Sequence, residues 1–368
     1  MKSFEYGDQE ISHKEIMFAV PSMVVGLGIL TLPQRIAGST NASDGWVSIL
    51  GAGIIILFFV WITAKLAAQF PKMTFVEYAA RLISKPAAIT ITLLFSLYLL
   101  MFTSNIVRSV ANVAKDYLFE RTPLEVLMLV FFLVVIYGAA GSRAGLLRLN
   151  LMFFPVALIV LILILLFNLK HFEIDNILPV FQTEWSGYMK AARESLYSFL
   201  GFEIVLFYIA LMNRTQKAPK AAMVGMTLPI LIYMIVYIVV IGVFGNQATS
   251  QIIGPLIDLA KEVIVPGQFF ERIESIFFVI WIMTLFNTTA MAFDVSIMAL
   301  NSVFTKMKKI NLIFITSPFV FLIGILPNTF HEIMTIGTWI SYFGIFFSML
   351  LPALLFIISK IRRVRGYG

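Results

Sequence analysis

Residues 21–33 read Pro21-Ser22-Met23-Val24-Val25-Gly26-Leu27-Gly28-Ile29-Leu30-Thr31-Leu32-Pro33, in the middle of an apolar run from about residue 14 to 34. Two glycines one residue apart weaken a helix by about 1 kcal/mol each relative to alanine. They also let backbone approach a ligand closely. A second stretch has the same character. Tyr197-Ser198-Phe199-Leu200-Gly201-Phe202-Glu203 carries a central glycine and, two residues later, a carboxylate inside an apolar run. An ionisable group in such a run is a candidate functional group by default.

The rest of the chain says what kind of run this is. Of 368 residues, 60% are apolar and 13% charged, with a mean hydropathy of +0.93; soluble domains carry about 25% charged residues. There are 35 Phe against 20 Asp and Glu together. A water-soluble globular protein, a disordered chain and a coiled coil are all excluded. A helix needs roughly 20 residues to cross the hydrocarbon of a bilayer. Ten apolar runs qualify, at approximately 14–34, 46–69, 87–111, 124–141, 146–169, 192–212, 222–245, 270–300, 311–328 and 336–359. They are continuous rather than alternating, which excludes a β-barrel. The acidic lead-in from Met1 to Glu15 and the lack of an A-x-A site argue against a signal peptide. With no cysteine in the sequence, disulfides, thiolate metal sites and cysteine nucleophiles are ruled out.

The expected fold is therefore an all-α polytopic membrane protein of ten transmembrane helices forming one domain, residues 1–368. Lysine and arginine set its orientation. With the N-terminus in the cytoplasm, the inner connections and tail hold Lys72, Arg81, Lys85, Arg143, Arg148, Arg214, Lys217, Lys220, Lys306, Lys308, Lys309, Lys360, Arg362, Arg363 and Arg365 against one acid, Glu77. The outer connections hold nine cations against thirteen acids. The net charge of +7 is thus topological, with both termini inside, and it does not point to nucleic acid. The basic tail can also touch anionic membrane lipid. The long outer segments suggest two short helices on or in the outer face, Ser186 to Ser195 and Gly254 to Val265.

Ten spans divide into five and five, and an odd number per half inverts the second half. The first repeat covers about 10–170 and the second about 186–360, so the interrupted spans 1 and 6 open the two repeats. Discontinuous helices in matching positions point to a midplane binding site; the competing reading is glycines that merely let helices pack closely. Unwound backbone at that depth is tolerated where it lines a cavity or meets a ligand. The N–H groups of Gly28 and Ile29 would face a carboxylate, and carbonyls near Val24 and Phe199 would accept from an ammonium. A small zwitterion such as an amino acid fits both ends. No cofactor is called for.

The segment from Gly26 to Pro33 resembles the first-helix motif of the amino acid/polyamine/organocation transporter superfamily. Four further elements narrow the match: Glu10-Ile11-Ser12, Phe70-Pro71 followed by Phe75-Val76-Glu77-Tyr78, Ile177-Leu178-Pro179-Val180, and Ser198 to Glu203. Together they resemble the integral-membrane B subunits of bacterial spore germination receptors, over essentially the whole chain. That resemblance implies a non-enzymatic germinant sensor for a small amino acid or similar nutrient. It further implies partner A and C subunits and a location in the spore inner membrane.

The candidate ligand residues lie on spans 1, 3, 6 and 8: Gly26, Leu27, Gly28, Tyr98, Phe102, Phe199, Leu200, Gly201, Glu203, Thr288 and Ala292, with Asn105 also on span 3. Positions 98/102 and 288/292 each share a helical face, and Tyr98 and Thr288 each offer a hydroxyl in an apolar run. Asp294, near the inner end of span 8, is expected to pair with an inner-loop Arg or Lys. Span 5 carries no lysine; proton-coupled members of the superfamily that the chain resembles place one there, so its absence weakens a proton-symport reading. An ion-coupled amino acid transporter and an ion-conducting subunit remain the rival functions. His13, His171 and His331 are too dispersed for a metal site.

Overall fold

The computed structural model describes residues 10–263, 273–327 and 329–364. Among these, regular structure is helical apart from one isolated parallel bridge between Ile11 and Met212. Fifteen α-helices carry the argument. In chain order they are α1 (His13–Val24), α2 (Gly28–Ala37), α3 (Gly45–Ala68), α4 (Phe75–Leu82), α5 (Lys85–Tyr117), α6 (Leu124–Ala140), α7 (Arg143–Asn168) and α8 (Trp185–Ser198). There follow α9 (Val205–Tyr208), α10 (Ala218–Gln251), α11 (Pro255–Lys261), α12 (Ile273–Val303), α13 (Lys309–Ile325), α14 (Phe330–Ile345) and α15 (Leu351–Ile361).

Six helical stretches of 24 to 37 residues are long and apolar enough to cross a membrane. Two further pairs pass the same test only together, because each is bent at a short break. The first, α1 with α2, bends by 51°; the second, α8 with the arm Phe202–Leu211 that contains α9, bends by 42°. Helices α6 and α13 are apolar but shorter, at 17 residues each.

Local chemistry explains the boundaries. Ser12 caps α1 by accepting from the Lys14 N–H, and Glu15 completes a capping box. Thr74 and Glu77 do the same for α4, a short amphipathic helix that falls between the expected spans. Pro21 lies inside α1, and the helix ends four residues later, where the Val25 N–H donates to the Pro21 carbonyl at 2.8 Å. At the second break Gly201 adopts φ +120°, the left-handed side where a Cβ is strained. Gly245 (φ 76°) kinks α10 near its end.

Two expectations change here. Ser186 to Ser195 do not form a separate surface helix; they belong to α8, the first arm of the second bent pair. Their mixed charge reflects one partly exposed helix face. Pro255–Lys261 is helical as expected, while residues 264 and 265, like Arg365, lie outside the described residues.

The two bent pairs pack against the long helices α3, α10 and α12. Helix α10 packs against α1, α2 and α3, while α12 packs against α5, α6, α7 and α1. The pairs are tied to each other at both ends. Ile11 N–H donates to the Leu211 carbonyl at 3.0 Å and Asn213 N–H to the Ile11 carbonyl at 3.1 Å. At the other end Arg35 of α2 pairs with Glu194 of α8 at 3.4 Å.

The connection between α2 and α3 is clamped by Asp44. Its carboxylate accepts from the backbone N–H groups of Phe181, Gln182 and Thr183 at 2.5, 2.7 and 2.8 Å. Burial pushes this carboxyl up, but those hydrogen bonds outweigh burial and hold it below the ordinary aspartate value.

Candidate functional site

The first break spans Val25, Gly26 and Leu27. Several carbonyls at and just before it are already engaged. The Thr288 hydroxyl donates to the Ser22 carbonyl at 2.7 Å, and the Tyr233 hydroxyl donates to the Val24 carbonyl at 2.8 Å. Gly26 N–H also donates to Val24 O at 2.9 Å, and Trp281 Nε1 donates to Gly26 O at 3.4 Å. A backbone carbonyl oxygen has two lone pairs, so of the two carbonyls expected to accept an ammonium, that of Val24 has none left. The N–H side is different. Among the described residues no backbone carbonyl closes onto the N–H groups of Gly28 or Ile29, which open α2.

The glycines fit where side chains would not. A Cβ on Gly28 would lie 2.9 Å from the Tyr233 hydroxyl and 3.2 Å from Ser198 Cβ. On Gly26 it would meet Leu285 Cδ2 at 3.3 Å and Thr288 Oγ1 at 3.4 Å. On Gly201 it would meet Met23 Cγ at 2.8 Å. The second break therefore touches the end of α1, just before the first break, with the Gly201 backbone against the Met23 side chain.

Glu203 follows the second break. It is wholly buried. Its Oε1 accepts from the Tyr98 hydroxyl at 2.7 Å, and its Oε2 accepts from the Gly201 N–H at 2.9 Å. This carboxylate thus closes the break it stands beside and ties it to α5.

The candidate residues fall into three groups. Tyr98, Leu200, Gly201 and Glu203 meet around the second break. Gly26 and Thr288 meet at the first. Gly28 and Phe199 converge on Tyr233, whose ring stacks on Phe199 with centroids 5.3 Å apart. Phe102 is half-buried with its ring centroid 6.4 Å from that of Tyr98, and Leu27 is half-buried beside the first break. Ala292 is wholly buried one turn beyond Thr288.

Several residues at these breaks were not singled out from sequence. Tyr233 and Trp281 reach the first break from α10 and α12. Gly344 of α14 leaves room for Leu200 and Tyr98: its Cβ would lie 2.7 Å from Leu200 Cδ1 and 3.0 Å from the Tyr98 hydroxyl. The next turn, Phe346–Leu350, is a π-helix, a feature frequent at functional sites. It presents Phe347, stacked on Tyr98 at 5.4 Å. Tyr233 carries the same signal that picked out Tyr98, a hydroxyl in an apolar run; the π turn carries none.

A cavity of about 40 Å³ lies behind the first break, lined by Val25, Ile29, Phe154, Leu161, Trp281 and Thr284. That is well below the roughly 300–1,000 Å³ of a ligand pocket. An apolar groove of about 370 Å³ runs along the side of α1 and α10, beside Met17, Phe18, Pro21 and Leu228; none of the candidate residues line it.

Asp294 has the expected partners. Its Oδ1 pairs with Lys309 Nζ at 3.0 Å and Arg143 Nε at 3.4 Å, and its Oδ2 accepts from the Tyr208 hydroxyl at 3.1 Å. It is a structural junction between α12, the starts of α7 and α13, and α9.

The family model described as spore germination protein matches residues 10–333. Spore germination protein GerLB of Bacillus cereus is 40% identical over 368 residues, covering 100% of this chain and 98% of that protein. Spore germination proteins YndE and A2 of Bacillus subtilis (strain 168) are each 29% identical, covering 96% and 94% of this chain and 97% and 94% of their own. Among solved structures, MhsT in complex with L-phenylalanine superposes with a TM-score of 0.73 at 15% identity, over 96% of this chain and 89% of that one. Mhp1, a nucleobase-cation-symport-1 family transporter in a closed conformation with bromovinylhydantoin bound, gives 0.69 at 14% identity, over 98% and 81%. At such identities the likeness is one of fold, a transporter fold.

Proposed function

The chain belongs to the spore germination protein family, and from that membership we propose that it is the nutrient-sensing membrane subunit of a germination receptor. It is not an enzyme. It binds a small amino acid near the bilayer midplane between α1/α2, α5, the α8/α9 pair and α12. The contacting residues are Gly26, Leu27, Gly28, Tyr98, Phe102, Phe199, Leu200, Gly201, Glu203, Thr288 and Ala292. The six long helices, two bent pairs and two 17-residue apolar helices supply ten spans, arranged as two inverted repeats of five within one domain. Both termini lie in the cytoplasm, and the spore inner membrane is the site of action.

The observation that carries this reading is the meeting of two broken helices at Gly201 and Met23, beside N–H groups left open at the start of α2. Ligand binding biases the angle between the broken pairs and the surrounding helices, and partner A and C subunits read that two-state element. The cavity behind the first break is too small for a ligand, so the pocket forms as the pairs swing apart.

A second reading, ion-coupled amino acid transport, draws support from the transporter fold. The test is the purified full chain in proteoliposomes with labelled L-alanine, L-valine and L-phenylalanine. Saturable binding without accumulation under a sodium or proton gradient is the expected result. Gradient-driven accumulation makes the chain a transporter, and absence of binding by all three removes the amino acid reading.

A further inference from the structure

Glu203 is buried at the second break with two neutral donors, Tyr98 O–H and Gly201 N–H. Among the described residues no lysine or arginine pairs with it; the cations of the ion pairs meet Glu194, Asp294, Glu15 and Asp258 instead. A buried carboxylate without a compensating charge is costly. A carboxylate also has about four acceptor positions, and two hydrogen bonds leave about two unused. At the first break the Val24 carbonyl is already taken by Tyr233 and Gly26.

We propose that Glu203 is the ammonium anchor of the ligand site. The protonated amine of the ligand docks on the free acceptor positions of the Glu203 carboxylate and supplies its missing counter-charge. The ligand's carboxylate lies toward the N–H groups of Gly28 and Ile29 at the start of α2, where the half-helix dipole favours an anion. Tyr98 holds the Glu203 carboxylate in position from α5. The ligand class narrows accordingly to molecules bearing a free, protonated amine; α-hydroxy acids, N-acylated amino acids and sugars lack the group that this site pairs.

This assignment rests on the amino acid reading above, and the test separates the two. Binding of L-alanine, L-valine and L-phenylalanine to the purified full chain in nanodiscs is compared with that of their α-hydroxy analogues: lactate, 2-hydroxyisovalerate and phenyllactate. In the wild type each amino acid that binds should do so at least about tenfold more tightly than its hydroxy analogue, the difference expected of a charged hydrogen bond. Glu203→Gln should lose at least about tenfold in amino acid affinity and bring each pair to within about twofold. Glu203→Asp keeps the charge and should retain the preference for the amine at reduced affinity. Equal binding of amino and hydroxy acids by the wild type overturns the anchor while leaving an amino acid pocket in place, and it needs no variant to fold. Retention of the full amine preference in Glu203→Gln overturns it equally. Failure of every amino acid to bind the wild type overturns the amino acid reading itself, and the anchor with it.

Discussion

Gly28 is where the close approach of the two bent pairs can be measured. In a free helix, Gly28→Ala stabilises by about 0.8–1 kcal/mol through propensity alone. Here the new methyl lands 2.9 Å from the Tyr233 hydroxyl, with Ser198 Cβ at 3.2 Å and the Ser198 carbonyl at 3.4 Å. The hydroxyl is held by its hydrogen bond to Val24 O, and its ring is stacked on Phe199, so it cannot simply swing away. Overpacking of this kind costs about 1–3 kcal/mol, which exceeds the propensity gain. Gly28→Ala should therefore be net destabilising, by up to about 2 kcal/mol. Tyr233→Phe should cost about 1 kcal/mol, the net worth of one neutral hydrogen bond, since Val24 O keeps the Gly26 N–H. The double variant should be less damaged than the sum, because Tyr233→Phe removes the oxygen that the methyl strikes. A coupling of about 1 kcal/mol is expected for such contacting residues. The assay is reversible unfolding of the purified full chain in detergent, comparing midpoints of the four proteins at constant lipid and salt. A Gly28→Ala protein as stable as wild type, or an additive double variant, would falsify the close approach on which the site is built.

Three further outcomes follow from named contacts. Glu203→Leu leaves the Tyr98 hydroxyl and the Gly201 N–H without their acceptor, at about 1–3 kcal/mol for each stranded donor; the yield of folded protein in detergent should fall well below that of Glu203→Gln. Asp294→Asn removes the counter-charge of Lys309 and Arg143 and should cost about 3–5 kcal/mol, whereas adding Lys309→Met to it should recover part of the loss in the same unfolding assay. Asp44 titrates lower in the folded chain than its ordinary value of 3.8, so its stabilising share is complete above that value and is lost as pH falls through the folded value; Asp44→Asn should flatten the acid limb of stability between about pH 5 and 3, and an unchanged acid limb would count against the clamp on Phe181 to Thr183.

Much of the architecture is legible along the chain because hydropathy is a local property that adds residue by residue. The long apolar helices match the expected runs to within a few residues for α3 (Gly45–Ala68) and α6 (Leu124–Ala140). Both breaks follow from glycines that weaken a helix wherever they stand, and Gly201 adds a φ of +120° that only glycine takes without strain. The start of α8 is harder to see. Trp185 to Ser195 has mixed charge, and a helix arm that is partly exposed reads like a surface helix.

Composition, run length and local breaking residues thus determined by themselves that this is a helical membrane protein with two interrupted helices and buried carboxylates within its apolar runs. Partners are another matter. Thr288 reaches Ser22 across 266 residues, Tyr233 reaches Val24 across 209, and Tyr98 reaches Glu203 across 105. None of these pairings has a period or spacing to betray it, because a hydrogen bond between spans depends on how helices are set in three dimensions. Only the tertiary structure decided that the Val24 carbonyl is already filled, that Gly28 faces Tyr233, and that Glu203 stands at the break with no cation on it among the described residues. The physical reason is the lipid-like interior: with no water there to satisfy polar groups, each must find a partner on another helix, and which partner it finds is set by packing.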